Sequence, residues 1–191
     1  MEGLSFKNRE LKYKGHRVKV YEDTLVMPGG EEVYYDYVEN RNGSGVLLVD
    51  SDGKLLFVKQ YRNVTKDIDI EIPAGCVEKT DYKTSADDFS DKENAFYLCA
   101  LREAEEETGF IPGKLIFINY IIAAVGLFSE RTAVYIGTDL KTGKENPDPD
   151  EFIDVVRLSL EEAVEYVYSG KINDSKTIIA ILAYKDLKDK M

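Results

Sequence analysis

The strongest constraint on the fold is a hairpin of two short apolar runs in the first third of the chain. Gly45–Val49 and Leu55–Tyr61 are separated by Asp-Ser-Asp-Gly at positions 50–53, a pattern typical of a tight turn between two buried strands. Another short strand is predicted at Ile68–Ile72, and it ends at the Pro-Ala-Gly of positions 73–75, which cannot continue a regular strand. These runs predict a buried sheet.

Three helices are predicted from apolar spacing and terminal signals. Asn94–Thr108 has the clearest helical spacing, and Gly109 follows it where a helix end favours glycine. Ser159 begins a second helix, with Glu162 three residues later as in a capping box, and a third is predicted at 175–188. Further strands are predicted at 16–26, 33–38, 115–125, 131–138 and 152–158. Because strands and helices are mixed without regular alternation, we predict an α/β sandwich with a mixed sheet.

The chain is expected to form one main domain with a small N-terminal appendage. In residues 1–42, the strands 16–26 and 33–38 are predicted to pair as a hairpin, and residues 43–191 form the main domain. The stretch Thr80–Lys92 is polar and acidic without periodicity, so it is predicted to be a surface loop. A second loop is predicted at Lys141–Asp150.

Composition excludes several classes of protein. No apolar run approaches the roughly 20 residues that span a bilayer, and Met1–Glu10 is too polar for a signal peptide, so a soluble cytoplasmic protein is expected. The net charge of −11 argues against nucleic-acid binding. Two cysteines are too few for a disulfide framework or a usual zinc site. Since His16 is the only histidine, proton transfer is expected to fall to carboxylates, lysine or tyrosine.

A cluster of glutamates marks the last turns of the best-predicted helix. Glu103, Glu106 and Glu107 stand at i, i+3 and i+4, so they project from one helix face. Their mutual repulsion and the helix dipole both disfavour this arrangement. A hard divalent cation such as Mg²⁺ or Mn²⁺ would relieve the repulsion, whereas the alternative is a solvated acidic face.

This segment resembles the Nudix box. Arg102–Phe110 (Arg-Glu-Ala-Glu-Glu-Glu-Thr-Gly-Phe) fits every fixed position of the second half of that family's pattern, and Gly75 fits the opening glycine. The distance from that glycine to Arg102 is longer than in the family, and Thr80–Lys92 looks like the insertion. Counted back from Arg102, the glutamate in the middle of the box falls at Asn94.

Four other segments resemble the ADP-ribose pyrophosphatase branch of the family, namely Lys59–Arg62, Glu71–Gly75, Gly126–Glu130 and Asn173–Ile178. The resemblance implies a Nudix-like α/β/α sandwich with a mixed sheet, which hydrolyses ADP-ribose to AMP and ribose 5-phosphate with Mg²⁺. The alternatives are a UDP-sugar or GDP-sugar diphosphatase and a non-catalytic module that binds a nucleotide sugar. The resemblance also implies a homodimer formed through residues 1–42, and the composition predicts neither nucleic acid nor membrane as a partner.

The same resemblance implies a metal site on the glutamate helix. Glu103 and Glu107 would be the principal ligands, and Glu106 a further ligand or a base that orients water. The backbone carbonyl of Ala74 would complete the site, which would hold two or three Mg²⁺ or Mn²⁺ ions.

Four residues outside the metal site also receive expected roles. Glu130 would be the general base or would position the water, although it could be an ordinary loop glutamate. Arg62 would bind a phosphate or the terminal ribose. Glu71 would hydrogen-bond a sugar or base edge, or else form a structural salt bridge. For Arg102, a structural ion pair is expected.

Overall fold

The computed structural model describes residues 3–82, 89, 91–146 and 152–190. The chain divides into two compact units, one made of Met1–Asn42 with Ile122–Arg131 and the other of Gly43–Ile121 with Thr132–Met191. The loops predicted at 80–92 and 141–150 lie partly outside the described residues.

The first unit is built on a three-stranded antiparallel sheet. Its strands lie in the order β1-β2-β3, and they are β1 (Ser5–Lys14), β2 (Lys19–Val26) and β3 (Glu32–Glu39). The predicted hairpin is confirmed as β2–β3, with Val26 opposite Glu32 at the turn. The sequence does not predict β1, because two register shifts interrupt its alternation and its residues are exposed.

The second unit contains a seven-stranded sheet. Its strands are β4 (Gly43–Val49), β5 (Leu55–Arg62), β6 (Asp67–Glu71), β7 (Ala74–Cys76), β8 (Phe110–Ile121), β9 (Thr132–Thr142) and β10 (Ile153–Leu158). They lie in the order β10-β5-β4-β9-β8, with β6 beside β5 and β7 beside β4. β4 and β9 run parallel and the other pairs antiparallel, so the predicted mixed sheet is confirmed.

Helices cover both faces of this sheet. They are α1 (Ala95–Thr108), α2 (Leu160–Tyr168) and α3 (Ser175–Leu187). Successive strand residues point to opposite faces, so Val46 and Leu48 share a core with α1, whereas Leu47 and Val49 share a core with α2 and α3. Each such side chain contributes about 1.5–3 kcal/mol by its burial. The predicted three-layer sandwich therefore follows from the apolar character of β4 on both faces.

The end of β6 differs from the sequence prediction in a way that shapes the site. The strand ends before Pro73 as predicted, but Ala74–Cys76 then forms a separate short strand beside β4. The Val46 N–H donates to the Pro73 carbonyl at 3.0 Å. This hydrogen bond attaches the segment between β6 and β7 to β4. As a result, Gly75 is held against the central strand. None of the described helices combines the length and apolar character needed to cross a membrane.

Candidate metal and substrate site

The helix α1 begins and ends as its sequence predicts. The Asn94 side chain accepts a hydrogen bond from the Phe96 N–H at 2.9 Å, which caps the first turn. Gly109 ends the helix with a φ of 71°, a left-handed conformation that favours glycine. Between these ends, Glu103 and Glu107 are buried, with exposed fractions of 8% and 5%.

The buried glutamates of α1 face the short strand β7. Glu107 Oε2 accepts a hydrogen bond from the Ala74 N–H at 3.1 Å. Gly75 lies under Glu103, so closely that a Cβ at position 75 would be 2.1 Å from Glu103 Oε1. The structure thus brings Glu103, Glu107 and Ala74 together, with the glycine leaving room for a carboxyl group.

Arg102 joins the remaining glutamate to this group. Its Nη1 donates to Glu103 Oε1 at 2.8 Å and to Glu106 Oε2 at 2.9 Å. Its Nη2 donates to the Cys76 carbonyl at 3.0 Å and to Asp81 Oδ2 at 3.2 Å. Burial lowers the pKa of Arg102, but the hydrogen bond with Asp81 and the charge of Glu103 outweigh that effect and raise it. The guanidinium therefore stays charged and offsets the repulsion among the glutamates.

Asp81, rather than Asn94, supplies the carboxylate that pairs with Arg102 from outside the helix. Asp81 is only 4% exposed and lies in a short 3₁₀ turn at Lys79–Asp81. Asn94 serves instead as the helix cap. Counting back from Arg102 gives Asn94 for the acidic residue in the middle of the box. That count is wrong, because the additional residues lie between Asp81 and Arg102. Because the distance from Gly75 to Arg102 is long, the pattern could also have been counted forward from Gly75, and this count reaches Asp81.

The donor set on this face fits a hard divalent cation. Its side chains offer carboxylate oxygens alone, which Mg²⁺ and Mn²⁺ prefer. Among the described residues, no group of three or more His, Cys, Asp or Glu side chains is arranged closely enough to hold a metal ion. The carboxylates bond Arg102 and the Ala74 N–H instead, so a cation would compete with these contacts.

The two residues predicted to bind substrate form an ion pair with each other. Glu71 accepts two hydrogen bonds from Arg62, at 2.6 Å from Nε to Oε1 and 3.0 Å from Nη2 to Oε2. Lys176, at the start of α3, contacts Glu71 Oε2 at 2.6 Å and Asp174 Oδ1 at 3.0 Å. We call Arg62, Glu71, Asp174 and Lys176 the Glu71 network. Glu71 therefore forms salt bridges, which is the alternative role expected from the sequence.

Opposite charges keep Glu71 and Arg62 ionised. Burial raises the pKa of Glu71, but the hydrogen bond from Arg62 and the charge of Lys176 outweigh it and hold that pKa below its ordinary value. Burial lowers the pKa of Arg62, but Glu71 and then Glu107 outweigh it and raise it. Since Glu107 acts on Arg62, the network lies within electrostatic reach of the glutamate face.

Asp174 and Lys176 are the members of this network to which the sequence assigns no role, and Lys176 is the cation among them. A signal was present, because Lys176 is a charged residue in the first turn of a helix whose next residues include Ile178 and Ile181. Such a charge, placed two residues after the capping Asp174, needs a partner if it is buried.

Glu130 belongs to the first unit, whereas the other predicted site residues belong to the second. Within its own unit, Glu130 Oε2 accepts a hydrogen bond from the Asn40 amide. Asn40 also donates its backbone N–H to Ser129 Oγ at 3.4 Å, and the Arg131 N–H donates to Asn42 Oδ1 at 2.9 Å. These contacts tie Ile122–Arg131 to the end of the N-terminal segment.

Known proteins resemble this chain over most of its length. An ADP-ribose pyrophosphatase from Bacillus subtilis (strain 168) is 32% identical over 96% of this chain and 92% of its own length. A methanol dehydrogenase activator from Bacillus methanolicus is 30% identical over 94% of this chain and 93% of its own length. A GDP-mannose pyrophosphatase from Salmonella paratyphi B is 28% identical over 78% of this chain and 74% of its own.

A solved structure and a family model are consistent with these relatives. A solved structure described as an ADP compounds hydrolase matches with a TM-score of 0.81 at 20% identity, over 100% of this chain and 97% of the other, and so shares its fold. The family model for the NUDIX domain matches residues 39–179, which include α1, β7 and the Glu71 network. The chain is therefore a member of the Nudix family, and a pyrophosphatase of the hydrolase class.

Proposed function

We propose that this protein hydrolyses ADP-ribose to AMP and ribose 5-phosphate, with Mg²⁺ or Mn²⁺ as its cofactor. The observation that carries the proposal is the meeting of α1 with β7, where Glu103 and Glu107 face the Ala74–Gly75 backbone. The Glu71 network lies within electrostatic reach of this face and offers a guanidinium to a phosphate. The similarity to an ADP-ribose pyrophosphatase over nearly the whole chain supports the choice of substrate.

Each site residue has a defined part in this proposal. Glu103 and Glu107, helped by Glu106 and the Ala74 carbonyl, would hold two or three divalent ions. When bound, such ions neutralise the charge of the pyrophosphate and lower the pKa of an attacking water. Arg62 would bind a phosphate oxygen through its exposed edge.

The chemistry is the cleavage of one P–O bond by one water. The water oxygen bonds to a phosphorus of the pyrophosphate, and the bridging oxygen leaves with the other phosphate. A carboxylate accepts the proton released from the water, for which Glu130 and Glu106 are the candidates. The proton then passes to solvent, so the products are two phosphate monoesters and the enzyme returns to its initial state.

The protein is further proposed to act as a cytoplasmic homodimer that pairs through its N-terminal segment. In support, β1 exposes several large apolar side chains, with Phe6 and Tyr13 each 61% exposed and Leu11 49% exposed. Large exposed apolar side chains can mark a surface that another chain covers. Sedimentation of the whole chain and of a Phe6→Ser, Leu11→Ser variant would test this, since the variant should sediment as a monomer.

Two alternative functions have specific support. GDP-mannose pyrophosphatases are among the relatives, so GDP-mannose is the second candidate substrate. The methanol dehydrogenase activator is about as similar as the ADP-ribose pyrophosphatase, so stimulation of a dehydrogenase is a second candidate role.

The decisive experiment is a turnover screen of the purified protein. ADP-ribose, GDP-mannose, UDP-glucose and NADH are compared by kcat/KM with Mg²⁺, with EDTA, and after Mg²⁺ is restored. We expect the highest kcat/KM for ADP-ribose and complete dependence on the metal. Binding of a nucleotide sugar without release of a monophosphate would show a non-catalytic module instead.

Variants of the glutamate helix provide the matched comparison. Glu103→Gln and Glu107→Gln each remove one charge while nearly keeping the side-chain shape, and we expect losses of about 10²-fold or more in kcat. Glu105→Gln makes the same change on the same helix, at a residue outside the proposed ligand set, and should retain normal turnover. Normal kcat and metal affinity in both Glu103→Gln and Glu107→Gln would contradict the proposed metal site.

A further inference from the structure

The first turn of α3 is hydrogen-bonded to the residue that follows β6. Asp174 Oδ2 accepts from the Thr177 N–H at 3.0 Å and from the Thr177 hydroxyl at 2.6 Å. The Thr177 hydroxyl oxygen accepts in turn from the Ile72 N–H at 2.9 Å, and Thr177 is fully buried. The start of α3 is therefore fixed to the backbone that leads into Ala74.

Lys176 extends this connection to the Glu71 carboxylate. Glu71 Oε2 lies 2.6 Å from Lys176 Nζ and 3.0 Å from Arg62 Nη2, so both cations bind one oxygen. The exposed side-chain fractions are 5% at Glu71, 16% at Lys176 and 37% at Arg62, so Arg62 is the most exposed of the three. Neither hydrogen bond to Glu71 uses Nη1 of Arg62, so that edge is available for a phosphate.

Neighbouring carboxylates keep the Lys176 side chain in its charged form. Burial lowers the pKa of Lys176, but the charges of Asp174 and Glu71 outweigh it and raise that pKa. A buried lysine needs such pairing, because an unpaired buried ammonium is costly. Within the network two carboxylates balance two cations. Glu71 can therefore orient Arg62 while Lys176 supplies a share of the balancing charge.

We propose that Lys176 is a positioning residue of the substrate site: through Glu71 it holds the Arg62 guanidinium in the orientation that binds the pyrophosphate. The proposal rests on the assignment of Arg62 to the substrate. Its physical basis is that an arginine already held in place loses little freedom when a phosphate binds. Without Lys176 the Glu71 carboxylate loses one of its two cationic partners, and Arg62 becomes free to turn with it.

The test replaces Lys176 by methionine, which keeps the apolar stem and removes the ammonium. Lys185→Met is the matched control, since Lys185 is an exposed lysine on the same helix. Three quantities are measured: KM and kcat for ADP-ribose with Mg²⁺, the thermal midpoint, and the exchange of the Arg62 Nε–H with water by ¹⁵N NMR. That resonance is assigned from its loss in Arg62→Lys.

For Lys176→Met we expect KM to rise about tenfold, with kcat changed by less than about threefold. The Arg62 Nε–H should exchange faster, and Lys176→Arg should restore part of its protection. Because Lys176 acts through Arg62, the double variant with Arg62→Ala should have the same KM as Arg62→Ala alone. Lys185→Met should match the wild type in all three quantities.

The outcomes separate this proposal from the proposed function. Protected exchange of Arg62 in Lys176→Met, or losses in KM that add in the double variant, would overturn the positioning role. A lower thermal midpoint with unchanged KM and exchange would also overturn it, since that pattern marks a structural residue. If the wild type hydrolyses no ADP-ribose, the proposed function fails, and the exchange measurement alone then decides whether Lys176 positions Arg62.

Discussion

Replacing Gly75 by alanine tests the closest approach in the candidate site. A Cβ at this position would lie 2.1 Å from Oε1, 2.3 Å from Cδ and 2.6 Å from Oε2 of Glu103. The carboxyl oxygen must move from 2.1 Å to ordinary contact at 3.4 Å, a displacement of 1.3 Å. Gly75 has no positive φ, so alanine fits the backbone, and the three atoms nearest to its Cβ all belong to Glu103.

The displacement sets the expected loss of activity. A misplacement of about 1 Å in a catalytic constellation costs about 10²-fold in rate. That factor corresponds to about 2.7 kcal/mol of transition-state stabilisation. We therefore expect kcat/KM of Gly75→Ala for ADP-ribose to fall about 10²-fold, with weaker binding of Mn²⁺ by calorimetry and a small change in the thermal midpoint.

Gly29→Ala is the matched control. Its Cβ would lie 2.4 Å from Glu31 Oε2, a similar clash with a carboxylate. Gly29 and Glu31 are both exposed, so the Glu31 side chain can rotate away at little cost and activity should stay normal. Normal kcat/KM together with normal Mn²⁺ affinity in Gly75→Ala would show that the position of Glu103 has no part in catalysis.

Three further changes test other contacts of the site. Asp81→Asn removes a buried partner of Arg102, so the thermal midpoint should fall by about 2–10 °C, measured by calorimetry; an unchanged midpoint would show that the pair does not stabilise the fold. Because folding lowers the pKa of Glu71 from its ordinary value of 4.5, the ionised carboxylate stabilises the fold above pH 4.5. This stabilisation is lost as the pH falls through the lowered pKa. Urea unfolding of Glu71→Gln should therefore show a smaller loss of stability below pH 4.5 than the wild type, and parallel pH profiles would contradict this. Glu130→Gln should lower kcat about 10²-fold or more with KM nearly constant in steady-state assays, if Glu130 is the base; equal kcat would assign the proton to Glu106.

The fold was predictable where local signals and burial agree. The hairpin of β4 and β5 followed from two apolar runs around a turn, the C-terminal end of α1 followed from Gly109, and the capping box of α2 followed from Ser159 and Glu162. By contrast, β1 was not predictable, since its pairing depends on β2 and its residues face solvent. An exposed strand held mainly by its pairing leaves little trace of apolar alternation in its own sequence.

The candidate site was predictable in composition but not in its pairing. The spacing of Glu103 and Glu107 places them on one face of any helix, so the formation of α1 is enough to bring them together. The partners of Arg102 and Glu71 come from elsewhere in the chain, at Asp81 and Lys176. An insertion hides the first partner, and the second is brought near by the packing of α3, which local sequence does not encode.

One short segment, Glu71–Gly75, connects the two clusters of charge. At its start, Glu71 binds Arg62 and Lys176, and the Ile72 N–H is held by Thr177. At its end, the Ala74 N–H binds Glu107, and Gly75 admits the Glu103 carboxyl group. Pro73 stiffens the middle, because its ring fixes φ and its carbonyl accepts from β4. The residues proposed to hold the metal and the arginine proposed to bind the phosphate are therefore connected through the same five residues.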